Sequence, residues 1–226
     1  MAKSVSRDNP STNAAGICLL HSEKYDEAIS VFRELLGQVR QHMLLSENLA
    51  QDKLQIIATN EPIHIAEDQP FLCFTQPFVV ISTEGNESFS LAEASSQDLN
   101  LLVCTLFFNL GLSHHLRSLS GKSPSWSHDV ARAIALYKYA VRISSSFTNS
   151  NGCLCSFGED GALCVSVAIG NNLAVLLSEI HEYDSLREYL EWVLDRACLV
   201  QHESCDCFWM NMLSWRASHS FAAAVA

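Results

Sequence analysis

The chain has 226 residues, 48% of them hydrophobic and 17% charged, with a formal net charge of −11. This is enough apolar material for one domain or one short repeat array with a sizeable core, and the charged share lies below the typical ~25%. Because an acidic chain repels phosphate backbones and its Lys and Arg residues form no run, we expect no nucleic-acid partner.

The termini and the cysteines indicate a cellular compartment. Residues 1–13 are polar and lack the apolar core of a signal peptide. No uncharged apolar run reaches the ~20 residues that span a bilayer, so we expect no membrane partner. Nine cysteines, an odd number, are scattered along the chain. The sequence therefore predicts reduced thiols in a cytoplasmic or nuclear protein.

Apolar residues recur at helical spacing over most of the chain, which predicts an all-α fold. Ser95 or Ser96 is expected to cap the third helix and Ser127 the fourth. The fifth helix is apolar on every face and is expected to be central. The tail, about 207–226, is predicted to be a capping helix. The six predicted helices cover residues 14–21, 25–45, 96–119, 129–144, 162–180 and about 185–202.

Between the second and third helices, residues 54–95 have a different composition. They are rich in β-branched and aromatic residues, and Pro62, Pro70 and Pro77 interrupt them. Proline disfavours a central strand. We expect an extended apolar insertion with a short edge hairpin that packs against the helices, with Phe71, Phe74, Phe78 and Val80 mostly buried.

Three pairs of helices share a spacing of small and large residues. In the first pair Gly16 is followed twelve residues later by Ala28 and four further by Phe32. The third pair keeps the spacing with Ala174, Leu186 and Leu190, and the second stretches it by ten residues within the loop 118–125. The second pair carries Gly111, Ala133, Tyr137 and Ala140.

This spacing resembles the tetratricopeptide repeat, in degenerate form and in about three units. The resemblance implies TPR-like helical hairpins stacked as a short right-handed array, with small residues at the helix crossings. It implies a single domain, 1–226, containing repeats at about 10–45, 96–144 and 161–202. The alternative is an ordinary α-helical bundle with chance small-residue spacing.

The resemblance also implies a function, a protein–protein interaction scaffold that binds a peptide or partner protein on its concave helical face. The first helix of each pair lines that face in the family. Asparagine amides there both donate and accept, which suits an extended peptide, although they also serve to tie helices together. Basic residues that clamp a carboxylate are missing, which favours a neutral or mildly basic, partly apolar peptide. The residues implied to bind the partner are Asn109, Leu112, His115, Asn171, Asn172 and Val175; the first pair offers Asn13 and Ile17, with Ala14 at the matching asparagine position.

Candidate chemistry is weak by comparison. No nucleophile or phosphate-binding motif occurs, so we expect no enzyme and no cofactor. The adjacent His114 and His115 are expected to be one core and one surface histidine. Alternatives left open are a structural subunit docked permanently in a larger complex and, last, an enzyme of unrecognised type. Two cysteine groups, one formed by Cys198, His202, Cys205 and Cys207 and one by Cys153, Cys155 and Cys164, have poor spacing for a metal and are expected to hold none.

Overall fold

The computed structural model describes residues 9–45, 54–59, 62–63, 73–82, 94–121, 125–145, 159–197 and 208–214. The described part is mostly helical, as predicted for an all-α chain. A two-stranded antiparallel sheet is inserted between the second and third helices. In chain order the elements are α1 (Asn9–His21), α2 (Tyr25–Leu45), β1 (Leu54–Ala58), β2 (Phe78–Ser82), α3 (Ser96–Leu119), α4 (Trp126–Ser144), α5 (Glu159–Glu179), α6 (Tyr183–Ala197) and α7, residues 208–214.

Helix α3 begins where its capping chemistry predicts. The Ser95 side chain accepts from the Asp98 backbone N–H, and the Asp98 carboxylate accepts from the Ser95 N–H. This reciprocal pair satisfies two N–H groups at the helix terminus. The prediction for α4 was wrong, because the helix begins at Trp126 and its N-cap, Ser125, makes no side-chain cap bond. Helices α1, α5 and α6 also begin two to five residues earlier than predicted.

Each helix packs on the next one along the chain, from α1 to α6. Small residues allow the close approach. A Cβ added at Gly16 would lie 2.6 Å from the Phe32 ring, and one added at Gly111 would lie 2.8 Å from the Tyr137 ring. Ala28, Ala133 and Ala140 are fully buried. The predicted crossings of the first two pairs are therefore confirmed.

In the third pair Gly170 of α5 also makes a close approach to α6. A Cβ at Gly170 would lie 2.6 Å from Val193 Cγ2 and 2.8 Å from the Trp192 ring. Leu186 and Leu190, the residues of the predicted core line, are buried. Helix α5 thus approaches α6 closely at Gly170, four residues before Ala174, which is also buried.

The insertion forms the predicted hairpin. Strands β1 and β2 pair with Ile56 opposite Val80. These two side chains are buried, whereas Ile57 and Ile81 on the other face are exposed. Beyond the ladder, Thr59 N donates to Pro77 O at 2.9 Å and Ile63 N donates to Thr75 O at 3.3 Å.

Burial of the insertion is also confirmed where it is described. Phe74, Phe78 and Val80 are all buried within the main hydrophobic core. Phe71 lies outside the described residues. One face of the hairpin is therefore packed against the helices, and the other face, with Ile57 and Ile81, is exposed.

Two helices have the length and composition to cross a bilayer, Ser96–Leu119 and Gly161–Glu179. By length and composition alone this is weak evidence for a membrane span. Moreover, 83% of each hydrophobic window is buried inside the protein. Central helices of a packed core have the same composition, so their apolar character is accounted for by helix packing.

Candidate functional site

The candidate site is the side of α1, α3 and α5 that faces the hairpin. We call residues 73–82, which include β2, the inserted segment, and we call the helix surface beneath it the groove. Strand β2 contacts α1 and α3, and β1 contacts α3 and α5. The first helix of each predicted pair therefore contributes to one continuous surface.

Asn109 of α3 holds both backbone polar groups of one residue of the inserted segment. Its Oδ1 accepts from Phe78 N at 3.0 Å, and its Nδ2 donates to Phe78 O at 2.9 Å. Asn13 of α1 adds a second donor to Phe78 O at 3.2 Å. Asn109 Nδ2 also donates to Asn13 Oδ1 at 3.2 Å. The backbone of one residue is thus fixed by two helices.

Asn172 of α5 repeats this arrangement four residues earlier. Its Oδ1 accepts from Phe74 N at 2.7 Å, and its Nδ2 donates to Phe74 O at 2.9 Å. The same Nδ2 donates to the Tyr137 hydroxyl at 3.3 Å. The two amides, which we call the asparagine clamp, satisfy a buried backbone at two points.

The asparagine clamp makes the hydrogen bonds that a neighbouring strand would otherwise make to the inserted segment. One edge of β2 bonds to β1, which leaves the N–H and C=O of Phe78 pointing toward the helices. Buried backbone groups need partners, and an asparagine amide presents one donor and one acceptor at the spacing of a peptide. The side chains of α3 and α5 therefore satisfy an edge that would otherwise stay unpaired.

Aromatic rings hold the inserted segment from the side-chain direction. The Phe74 and Phe78 rings stack with centroids 5.5 Å apart, and Phe108 of α3 meets Phe78 edge-on at 5.0 Å. Phe208 of α7 lies 5.5 Å from Phe74. Fully burying one phenylalanine stabilises by about 1.5–3 kcal/mol, so these contacts contribute as much as the clamp.

His115 lies against the inserted segment as well. Cys73 Sγ lies 3.6 Å from His115 Nδ1, and the imidazole is fully buried. Burial lowers the pKa of His115 to about 3, so the ring is neutral at physiological pH. Its Nε2 has no hydrogen-bond partner among the described residues. The prediction of one surface histidine was wrong, because His114 and His115 are both buried.

All six residues implied to bind a partner are buried, and none is exposed to an external ligand in this structure. Asn109, Asn172 and His115 contact the inserted segment, and Asn171 Oδ1 accepts from Asn211 Nδ2 of α7 at 2.6 Å. The asparagines do hold a peptide backbone, but it belongs to the same chain. The buried set is Asn109, Leu112, His115, Asn171, Asn172 and Val175.

Sequence reasoning missed a charged network between α2, α3 and α4. His114 Nδ1 donates to Asp129 Oδ1 at 2.9 Å, and Arg117 bonds to both Asp129 and Asp26. The Asp129 hydrogen bond is the leading cause of a raised Arg117 pKa. Burial lowers the pKa of His114 despite the Asp129 carboxylate. With Asp129 fully buried, the network ties helices together.

The remaining candidates for chemistry are the cysteine groups considered as metal sites and the carboxyl of Glu179. Within the described ranges no group of three or more His, Cys, Asp or Glu could hold a metal. The Cys198, His202, Cys205 and Cys207 cluster lies outside them, as do Cys153 and Cys155, while Cys164 is buried in α5. Burial raises the pKa of Glu179 to about 7 at the end of α5.

No family model, curated protein or solved structure matches this chain.

Proposed function

We propose that this protein is a protein–protein interaction scaffold made of TPR-like helical hairpins, which binds an extended segment of a partner along the groove. The proposal requires neither catalysis nor a cofactor. In this proposal the three pairs of helices form a short right-handed array whose concave face is the groove. When no partner is bound, the chain's own β-hairpin occupies that face.

One observation carries the proposal: Asn109 and Asn172 each bind the N–H and C=O of a single residue in a non-helical segment. These hydrogen bonds involve only main-chain atoms of the bound segment. The two asparagines can therefore bind a segment of any chain that presents a free strand edge. Asn109 and Asn172 lie on the first helices of successive pairs, and in a repeat array these helices line the concave groove. The partner segment is therefore expected to make the same backbone hydrogen bonds that the inserted segment makes.

The chemistry of the groove favours a neutral, partly apolar partner segment. Asn13, Asn109 and Asn172 are uncharged, and His115 is neutral because burial lowers its pKa to about 3. Placing a charged side chain among them would cost desolvation energy without an opposite charge to offset it. The partner segment is thus expected to carry aromatic or aliphatic side chains at the buried positions.

A nicked chain tests this function. Protease sites introduced within 46–53 and 83–93 would be cut after folding, which leaves residues 54–82 bound without a covalent link. A fluorescent synthetic peptide of residues 54–82 is then added in excess. We expect it to exchange into the groove while circular dichroism stays helical, and a peptide with Phe74→Ser and Phe78→Ser should not exchange.

The matched variant is Asn109→Ala with Asn172→Ala in the nicked chain, which should retain the peptide at least tenfold more weakly. Equal retention by the variant would contradict the role of the clamp. A fragment that never exchanges while the helices remain folded would show that the hairpin is fixed core, and the proposed function would then be wrong.

A second function, a structural subunit docked permanently in a larger complex, is favoured by one surface. Trp209, Met210 and Leu213 are exposed on α7, on the side opposite Phe208. Exposed clusters of large apolar side chains mark interaction sites. Light scattering of the purified chain tests this, since a permanent subunit is expected to self-associate and Trp209→Ser with Leu213→Ser should reduce that association.

A further inference from the structure

The inserted segment occupies the place where the proposed partner would bind, so the relation between the two decides how the scaffold is controlled. Such control presupposes the proposed function and concerns the intact, uncut chain. Residues 73–82 contact the groove through the clamp, the aromatic rings and Cys73.

The lining of the groove carries buried polar groups beside its aromatic rings, unlike the helix crossings. Buried Asn13, Asn109, Asn172 and His115 face the inserted segment, whereas the crossings are formed by Gly16 on Phe32 and similar apolar pairs. Water can satisfy asparagine amides and an imidazole when the segment leaves, but it cannot compensate an opened apolar crossing. The polar part of the groove is therefore less costly to open than a crossing, whereas the burial of the Phe74 and Phe78 rings must be replaced by whatever displaces the segment.

The helical framework is also continuous without the segment. Each helix contacts its successor from α1 to α6, so these contacts do not pass through the hairpin. The hairpin is inserted between α2 and α3, which themselves pack directly on each other. Release of residues 73–82 thus removes none of the contacts that join successive helices from α1 to α6.

The spacing of the contacts defines the ligand. Asn172 holds residue 74 and Asn109 holds residue 78, and both residues are phenylalanines whose rings stack at 5.5 Å. A competing segment that satisfies both clamp amides must place its bound residues four apart. It must fill the space of two aromatic rings next to Phe108 and Phe208.

We infer that residues 73–82 are a built-in competitor, and that the partner is a protein segment with two aromatic side chains four residues apart and one free backbone edge. The inserted segment closes the groove to weak ligands. Because it is tethered at an effective concentration on the order of millimolar, a partner succeeds only by binding more tightly than this internal copy.

The test uses the intact chain and a fluorescent peptide of residues 72–82, whose binding is measured by anisotropy. Phe78→Ala in the chain weakens the internal segment but leaves the groove unchanged. We expect it to tighten peptide binding by up to about 100-fold, the size of effect that large-to-small core changes produce. Asn109→Ala weakens the groove for both ligands, and adding it to Phe78→Ala should remove the gain.

Spacing provides the second arm. Peptides in which one residue between the two phenylalanines is deleted or added should bind the Phe78→Ala chain at least tenfold more weakly than the native spacing. The conservative Phe78→Leu chain gives a smaller gain and keeps the comparison valid if Phe78→Ala loses its helical signal.

Three outcomes would overturn the inference. Peptide binding that is equal in the wild-type, Phe78→Leu and Phe78→Ala chains would mean that the segment does not compete. Equal binding of the three peptides would show that the spacing between the two aromatic residues does not define the ligand. Exchange in the nicked chain together with no gain in either intact variant would reject self-competition and leave the proposed function standing.

Discussion

Individual residues in this chain are selected by what they touch across helix crossings. Glycine at position 111 is required by packing, since a Cβ would lie 2.8 Å from Tyr137, whereas Gly37 in α2 has nothing within 4 Å of its added Cβ. The same residue type is therefore needed at one position and unfavourable at the other.

Replacing each glycine with alanine should change stability in opposite directions. Gly111→Ala is expected to lower the free energy of unfolding by about 1–3 kcal/mol, because Tyr137 must move. Gly37→Ala should raise it by up to about 1 kcal/mol, because alanine favours an exposed helix interior. Urea unfolding of both variants measures this, and a loss of stability for both would argue against the crossing as the cause.

The buried imidazole of His115 makes stability depend on pH. Its folded pKa of about 3 lies below the unfolded value of 6.5, so the unfolded chain binds the extra proton between these values. This contribution is complete above pH 6.5 and is lost as pH falls toward 3. At pH 5.0 the loss amounts to about 2 kcal/mol.

Unfolding free energies at pH 7.5 and 5.0 therefore test this group. We expect His115→Gln to lose about 2 kcal/mol less between the two pH values than the wild type does. His21→Gln, at an exposed histidine, is the control and should behave as wild type. Parallel curves for wild type and His115→Gln would contradict a buried neutral imidazole.

Among the elements, the inserted segment, which includes β2, is unusual because side chains of helices complete its hydrogen bonding. Asn109 acts on Phe78 and Asn172 acts on Phe74, on separate helices. The clamp thus has two halves whose effects can be separated.

Amide hydrogen exchange should separate them. Asn109→Ala is expected to speed exchange of the Phe78 amide more than that of Phe74, and Asn172→Ala to do the reverse, since each removes one acceptor. Leaving a buried N–H unpaired costs about 1–3 kcal/mol, which corresponds to at least fivefold in exchange rate. Each variant is the other's control, and equal acceleration at both amides would mean that the segment opens as one unit.

On the scale of the whole molecule, three cysteines lie in regions that are expected to open at different free-energy costs. Cys73 lies in the inserted segment, and Cys104 is buried between α3 and α4, where its thiol donates to Ala140 O at 3.6 Å. Neither thiol forms a disulfide, and Cys18 is exposed. The chain therefore carries reporters for the surface, the segment and the helix core.

Thiol labelling in low urea, read by peptide mass mapping, should follow the order Cys18, Cys73, Cys104. Cys73 needs only release of the segment, whereas Cys104 needs α3 and α4 to separate. Identical urea dependence for Cys73 and Cys104 would show one cooperative unit and would weaken the competitor inference. Faster labelling of Cys73 in Asn172→Ala would support the clamp as its restraint.

The sequence by itself determined the helical class, the hairpin, the close crossings at Gly16 and Gly111, and the asparagines that bind backbone. These follow from local periodicity, β-branched composition and side-chain size, which act over a few residues. Only the tertiary structure decided that the backbone bound by Asn109 and Asn172 is the chain's own Phe78 and Phe74. It also decided that His115 is buried and that Arg117 joins Asp129 to Asp26. These outcomes depend on contacts between residues up to 98 positions apart, as for Asn172 and Phe74, and no local pattern encodes such contacts.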